Sequence, residues 1–373
     1  MNQFAVPAGP AGSLAPWLRT QLERLLSQRG HAWLLAGPSG LGQFDLALAL
    51  ATAWLCEQPG AQGACGHCSS CHAVAVHTHA DLCLLLPETL SLSLGWPLDE
   101  KTQDDLDSKK RKPSKEIKVD AAREAVAFTQ FTRSRGSTKV VLVFPAERMN
   151  HITANTLLKT LEEPPGAVKF ILATHAAHQL LPTLRSRCLS HTMVWPDFDD
   201  ALAWLEEKSA EASGSQSGSK KPGGPVGTDA LRTLLASAGG RPDDALARVK
   251  NSLAAVAAQQ WRSFPKAMAR GDVGALADWT PAYAVDSLQK LCHDMWALQV
   301  GATPRFFSTS DLPAFSQVKM DGVHQALPNL VLHRLADWHT DLCAIARSVE
   351  HPYNPGLLNE SLVSRAKTAL DLK

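Results

Sequence analysis

Short apolar runs of strand length recur through the first half of the chain, with helical patterns between them. The apolar runs occupy residues 31–36, 81–86, 139–144 and 169–174. The helical segments include residues 44–56, 121–132 and 152–162. A short continuous apolar run is typical of a strand that is buried on both faces. The alternation predicts an α/β domain, in which a parallel sheet carries helices on both faces, and Asp120 is the expected N-cap of the second helix.

Two segments interrupt this pattern. Residues 99–118 contain six acidic and seven basic side chains with almost no apolar ones, and residues 209–228 are rich in Ser, Gly, Lys and Pro. Neither segment can bury enough apolar surface to offset the entropy of ordering, so we expect two mobile surface insertions. The basic residues 109–112 could contact nucleic acid, but the acidic residues beside them favour a solvated loop.

The second half of the chain follows a different pattern, because the strand signals fade after Trp195. Helical segments are expected at residues 199–208, 231–236 and 241–249. From residue 252 onward, the recurring Leu, Ala and Trp give an almost wholly helical pattern. These patterns predict a small helical domain followed by a larger all-α domain.

Composition places few limits on function. The chain has 373 residues and a formal net charge of +1 at pH 7. Its length suggests two or three domains, and its charge does not indicate nucleic-acid binding by the chain as a whole. The first residues lack the basic start and apolar run of a secretion signal, and no apolar stretch approaches the length of a membrane span. We therefore expect a cytoplasmic protein with no membrane contact.

A glycine-rich turn follows the first predicted strand. The segment from Gly37 to Phe44 reads Gly-Pro-Ser-Gly-Leu-Gly-Gln-Phe and matches both glycines of the phosphate-loop pattern G-x-x-x-x-G-K-[ST]. Glycines such as Gly40 and Gly42 let backbone amides curl around a phosphate at a helix N-terminus. A working loop then needs Lys to reach the phosphates and Ser or Thr to bind Mg²⁺, whereas here Gln43 and Phe44 hold those positions.

The acidic pair that an ATPase places after a later strand is also missing. Phe144 and Pro145 occupy the positions where Asp and Glu would stand, and Glu147 comes two residues too late. The sequence therefore predicts a degenerate phosphate loop that binds no ATP. The alternative is a glycine turn that only connects a strand to a helix.

Four cysteines are spaced as metal ligands. They are Cys56, Cys65, Cys68 and Cys71, in the pattern C-x8-C-x2-C-x2-C. Cytosolic thiols stay reduced, and four thiolates complete a closed tetrahedral Zn²⁺ site without a position for water, so the predicted zinc is structural. Iron–sulfur ligation is the rival interpretation, but no second redox feature accompanies the cysteines. His67 or His72 could replace one cysteine as a ligand.

Three further motifs follow in order along the first half of the chain. Residues 155–165, Asn-Thr-Leu-Leu-Lys-Thr-Leu-Glu-Glu-Pro-Pro, resemble the signature of bacterial clamp-loader AAA+ subunits. Residues 170–174 resemble the sensor strand of these subunits, and residues 186–188 match their Ser-Arg-Cys motif. Together with the phosphate loop and the cysteines, the resemblance spans residues 34–188.

Among these subunits, the chain resembles the delta-prime branch of the DNA polymerase III clamp loader rather than the ATP-hydrolysing gamma/tau branch. Gamma/tau retains Lys-Thr in the phosphate loop and the Asp-Glu pair, whereas this chain has Gln43, Phe44, Phe144 and Pro145. Asp243 stands where the second sensor motif of the motor subunit has Arg. An Asp at that position would repel a γ-phosphate.

The resemblance implies three domains. They are an AAA+ ATPase-like domain (1–195) with a zinc module (about 56–71) and the charged insertion (99–118), a helical lid (196–250) with the insertion 209–228, and a helical collar for oligomerisation (251–373). The resemblance of the collar rests on helical pattern and position. The two insertions depart from the family but leave its motifs intact.

The resemblance also implies a role for Arg187 in the Ser-Arg-Cys motif. Arg187 would be an arginine finger that meets the charge on the γ-phosphate of a neighbouring ATPase subunit. If the family resemblance is set aside, a surface salt bridge is the simpler interpretation of this arginine. The implied partners are the gamma/tau and delta subunits in a hetero-pentamer, which brings the sliding clamp and primed DNA together. The chain by itself would be no enzyme. An active ATPase with a substitute for the missing lysine, and a zinc-dependent DNA-binding module, remain the alternatives.

Overall fold

The computed structural model describes residues 14–136, 138–214, 226–251, 254–313, 327–349, 351 and 353–371. The chain divides into two compact units, Met1–Asp200 and Ala201–Lys373. Within the described part of the chain, no helix is both long enough and apolar enough to cross a bilayer.

The first unit is built around a five-stranded parallel sheet. Its helices are α1 (Pro16–Leu26), α2 (Gln43–Leu55), α3 (Ser69–Ala75), α4 (Glu88–Leu94), α5 (Glu100–Asp107), α6 (Val119–Gln130), α7 (His151–Glu162) and α8 (Pro182–Arg185). Its strands are β1 (Ala32–Ala36), β2 (Leu82–Leu85), β3 (Lys139–Val143), β4 (Val168–Thr174) and β5 (Leu189–Thr192). The strand order is β2-β3-β4-β1-β5, and every neighbouring pair is parallel.

Both faces of the sheet are covered, which explains why its strands are apolar at consecutive positions. On one face, Val141 and Phe170 share a core with Ala125 of α6 and Leu157 of α7. Residues of the opposite parity, such as Leu142, are equally buried, and α2 lies against β1, β3 and β4. A parallel sheet between two helical layers buries every strand position. The predicted α/β class and four of the strands are therefore confirmed.

The fifth strand was not predicted, and the predicted cap of α6 is wrong. Strand β5 reads Leu-Ser-His-Thr and lies at the sheet edge, where it pairs only with β1. Three of its four residues are exposed, and an exposed edge strand needs no apolar run, so its sequence gives no strand signal. At α6 the N-cap residue is Lys118, and Asp120 lies inside the first turn.

The charged insertion is ordered in its described residues, contrary to the expectation of a mobile segment. Residues 100–107 form α5, and the Asp99 side chain accepts a hydrogen bond from the backbone N–H of Thr102 at 2.8 Å. At its other end, Ile117 is only 1% exposed, and its N–H donates to the carbonyl of Arg148. The second expected insertion is partly helical as well, because α9 continues to Gly214.

Glu88 at the start of α4 ties the charged insertion to the sheet domain. Arg111 and Lys118 each approach a carboxylate oxygen of Glu88 at 2.5 Å, and the Ser114 N–H donates to it at 2.9 Å. Burial alone would raise the pKa of Glu88, but these donors outweigh it and lower the pKa from 4.5 to about 2. One carboxylate outside the insertion therefore binds three of its residues.

The second unit is helical throughout its described residues, as the pattern predicted. Its helices are α9 (Phe198–Gly214, which spans the division), α10 (Thr228–Ser237), α11 (Pro242–Asn251), α12 (Ala254–Arg270), α13 (Pro281–Gln299), α14 (Leu327–Ser348) and α15 (Pro355–Leu370). Its main core includes Trp261 and Phe307, whose rings stack at 4.4 Å. A smaller cluster forms around Leu234. Residues 215–225 of the expected lid insertion lie outside the described part, and the division into lid and collar stays a prediction.

We expect Glu88→Gln to lower the free energy of unfolding by about 1–3 kcal/mol at pH 7, because it leaves partly buried donors without a charged acceptor. Because folding depresses the pKa of Glu88, its stabilisation is complete above about pH 4.5 and fades as the pH falls toward 2. The difference between variant and wild type should therefore be smaller at pH 3.5 than at pH 7. Urea unfolding at both pH values measures it.

The matched control is Asp105→Asn, which removes the more exposed ion pair with Lys110. That change should stay within about 0.5 kcal/mol, as surface pairs do. If Glu88→Gln were as mild as Asp105→Asn, Glu88 would not be the anchor of the insertion.

Candidate nucleotide loop, cysteine cluster and Arg187

The glycine-rich turn connects β1 to α2, where the sequence predicted it. Gly40 and Gly42 have φ values of +78° and +85°, a left-handed backbone that favours glycine. Gly42 is also the N-cap residue of α2, and a Cβ on it would lie 2.6 Å from a methyl group of Leu18. Both glycines of the loop therefore have conformations that other residues rarely adopt.

The side chain of Gln43 turns inward and bonds the loop itself. Its amide Nε2 donates to the carbonyls of Gly37 at 2.8 Å and Pro38 at 2.5 Å, and the residue is only 2% exposed. An amide has two N–H donors, and the loop uses both. The position that holds a lysine in a working loop thus presents no cation and no spare donor.

Aromatic rings fill the place where the sequence pattern would put the metal ligands. Phe44 and Phe144 are each 8% exposed, and their ring centroids lie 5.3 Å apart. The ring of His175 meets Phe144 edge-on at 5.1 Å. Mg²⁺ is held by oxygen ligands and retains several waters. A buried aromatic contact offers neither.

The nearby acidic residues do not replace the missing pair. Glu147 accepts a hydrogen bond from the Thr174 hydroxyl at 2.6 Å and another from the His175 N–H at 3.2 Å. Its carboxylate is therefore used to fix the end of β4. Burial raises the pKa of Asp45, in the first turn of α2, to about 6. Neither carboxyl has the position of a metal-binding Asp-Glu pair after β3.

The structure brings the four predicted cysteines together. All four Sγ atoms lie within 4.8 Å of one another, with 3.8 Å between Cys56 and Cys68 and 3.9 Å between Cys65 and Cys71. A tetrahedral ion with sulfur ligands at about 2.3 Å requires sulfur atoms about 3.8 Å apart. The cluster consists of cysteines alone, so the histidine alternatives are not part of it. The spacing fits a closed four-thiolate metal site.

Backbone amides support the thiolate form of Cys68, whereas burial raises the pKa of Cys56 and of Cys71. Cys68 is the N-cap residue of α3 and accepts from the Cys71 N–H, while Cys56 accepts from the N–H groups of Gln58 and Cys65. Burial alone would raise the pKa of Cys68, but hydrogen bonds from backbone amides and neighbouring thiols outweigh it and lower the pKa to about 6. A thiolate is the form that binds a metal ion.

Contacts that the sequence did not reveal join the cysteine cluster to the sheet. Glu57 accepts from the Ser69 hydroxyl at 2.6 Å, and Arg135 donates to the same hydroxyl at 2.8 Å. The backbone N–H groups of Ser134 and Arg135 donate to Asp81, which is fully buried beside β2. These residues are distant from one another in sequence, so no local motif could have identified them.

Arg187 lies just after α8 and is held by two contacts. Its Nε and Nη2 atoms contact Oε1 of Glu162, and its Nη1 donates to the carbonyl of Thr183 at 2.7 Å. The side chains of Arg187 and Glu162 are 31% and 44% exposed. The surface salt bridge considered in the sequence analysis therefore exists, and its partner is the last residue of α7. In the second unit, Asp243 lies in the first turn of α11.

Comparison with known proteins gives one consistent family. The family model described as DNA polymerase III, delta subunit, matches residues 17–194. The DNA polymerase III subunit delta' of Escherichia coli K12 is 32% identical over 292 residues, which covers 74% of this chain and 76% of that protein.

Two further relatives match shorter segments. The subunit delta' of Pseudomonas aeruginosa is 36% identical over 229 residues, or 61% of this chain and 58% of that protein. The DNA polymerase III subunit tau of Escherichia coli is 30% identical over 176 residues, or 47% of this chain and 23% of that protein. The aligned part of this chain thus spans less than two thirds of the Pseudomonas relative. On the strength of the longer Escherichia coli match, the chain belongs to the delta-prime family of DNA polymerase III subunits, as its motifs indicated.

Proposed function

We propose that this chain is the non-hydrolysing delta-prime subunit of a cytoplasmic DNA polymerase III clamp loader. It joins gamma/tau and delta subunits in a hetero-pentamer that places the sliding clamp on primed DNA. In that complex it binds no ATP, and Arg187 acts on the nucleotide of a neighbouring subunit. The observation that carries the first part is the buried Gln43 amide, which bonds the carbonyls of its own loop.

The energetics support the loss of nucleotide binding. A charge-assisted hydrogen bond contributes roughly 1.5–3 kcal/mol, so losing both the lysine contact and the metal ligand costs about 3–6 kcal/mol, or roughly 10²- to 10⁴-fold in affinity. The contact between Phe44 and Phe144 adds an apolar surface where a hydrated cation would stand. A loop of this kind would still connect the strand to the helix but would not bind a nucleotide.

The position of Arg187 supports a role toward a neighbour rather than within the chain. Its guanidinium is partly exposed at the end of α8, and its pairing with Glu162 is a surface contact that a phosphate can share or displace. Arginine keeps its charge at any physiological pH, and its planar fork matches phosphate oxygens. Stabilising the charge on a transferred phosphoryl group is the chemistry that it would supply in trans.

The four-cysteine cluster supports a structural zinc ion. Cys56, Cys65, Cys68 and Cys71 have the count, spacing and amide support of a closed Zn²⁺ site. Such an ion would cross-link the end of α2 to α3 and stabilise the loop between them.

We expect purified chain to contain about one equivalent of zinc, and Cys68→Ser to lower that content sharply, because three thiolates leave the tetrahedral site incomplete. Elemental analysis measures both. The control is Cys343→Ser, which changes a cysteine outside the cluster and should leave the zinc content unchanged. Iron with visible absorbance in place of zinc would show that the cluster is an iron–sulfur site.

We expect Arg187→Ala to lower the DNA- and clamp-stimulated ATPase of the assembled loader by about two- to tenfold. This is far below the 10³–10⁵ of a single-site arginine finger, because the other interfaces keep their own arginines. Arg187→Lys should restore little, since an ammonium group lacks the planar fork. Steady-state hydrolysis by complexes that differ only at this residue measures the effect.

The control for this series is Arg185→Ala, which removes an exposed arginine two residues earlier, and gel filtration checks that every complex assembles. Zinc content and folding should be unchanged in all variants. Equal ATPase rates for Arg187→Ala and wild type would contradict the finger role and leave Arg187 with only its surface salt bridge.

A further inference from the structure

The guanidinium of Arg187 has more hydrogen-bond donors than its contacts with the described residues use. A guanidinium carries five N–H groups. The Nε–H and one Nη2–H face Glu162, and one Nη1–H bonds the Thr183 carbonyl. Among the described residues, two N–H groups remain without a protein acceptor. Glu162 and Thr183 therefore hold three of the five N–H groups and leave two for another acceptor.

Both partners of the ion pair lie close in sequence to a buried leucine. Leu161, the residue before Glu162, is fully buried, and its carbonyl lies 3.0 Å from Nε2 of His31. Leu184, three residues before Arg187, is 1% exposed and belongs to the same core. The exposed charged groups therefore extend from fixed backbone positions, so their relative geometry is set by the fold rather than by a mobile loop.

The placement of Glu162 is unfavourable for the helix that carries it. The carbonyl end of a helix carries partial negative charge, so a carboxylate in the last turn is repelled. Glu162 is the final residue of α7, and Glu163 follows as the C-cap residue. Helix stability therefore does not explain why a glutamate lies at position 162, whereas its contact with Arg187 does.

We propose that Glu162 is a positioning residue for Arg187, which it orients so that the remaining N–H groups can meet a phosphate of the neighbouring subunit. The proposal rests on the proposed function of Arg187 as an arginine finger. An exposed ion pair is weak, so Glu162 can orient the guanidinium without withholding it from a phosphate. The opposite mechanism is a latch, in which Glu162 competes with the phosphate and its removal speeds hydrolysis.

The test uses assembled loaders that contain wild-type chain, Glu162→Ala, Glu162→Gln, Glu163→Ala, Arg187→Ala or the double variant Glu162→Ala with Arg187→Ala. We expect Glu162→Ala to lower kcat about two- to fivefold, as loss of a surface pair would, with an unchanged KM for ATP. Glu162→Gln keeps the acceptor oxygen and should recover part of the rate. Glu163→Ala is the matched control, because it removes the same charge from the same helix end.

The double variant separates positioning from a general structural effect. If Glu162 acts only through Arg187, the double variant should hydrolyse ATP at the rate of Arg187→Ala alone. Additive losses, a rate for Glu162→Ala equal to wild type, or a faster one, would each overturn the positioning role while leaving the finger intact. An unchanged rate for Arg187→Ala would instead contradict the role of Arg187 as an arginine finger, and the positioning role of Glu162 would then fail as well. Urea unfolding of each variant chain checks that the fold is retained.

Discussion

The amide of Gln43 bonds the carbonyls of its own loop, and our proposal that the first unit binds no nucleotide depends on that contact. In a phosphate-binding loop the backbone amides and a lysine converge on an anion. Here the side chain at the lysine position satisfies the carbonyls of Gly37 and Pro38 instead. The paired rings of Phe44 and Phe144 are buried where the sequence pattern would place the metal ligands. The loop still links β1 to α2, and we propose that Arg187 is the group of this chain that acts on a phosphate.

Helix α2 connects the two candidate sites of the first unit. It begins at Gln43 in the glycine-rich loop and ends at Leu55, directly before Cys56 of the cysteine cluster. The carboxyl ends of parallel strands share one edge of a sheet, where β1 meets the loop. The contacts of Asp81, next to the start of β2, anchor the cluster at the other edge. The glycine-rich loop and the cysteine cluster thus lie at opposite ends of one helix.

Local patterns in the sequence predicted much of this arrangement. Four strands were found because both faces of the sheet are covered and each strand is a continuous apolar run. The cysteine cluster was found because ligands close in sequence are close in space. The edge strand β5 was missed, since an exposed edge carries no apolar run. The order in residues 99–118 and the partner of Arg187 were missed because Glu88 and Glu162 lie far from their partners in the chain.

The most direct test of the proposed loss of nucleotide binding is isothermal titration calorimetry of Mg-ATP into the 373-residue chain. The gamma/tau subunit, titrated under the same conditions, is the positive control. Because the loop lacks both a cation and a metal ligand, we predict no saturable heat in the micromolar range for this chain. A clear micromolar dissociation constant would contradict the account, since it would require a substitute for the missing lysine.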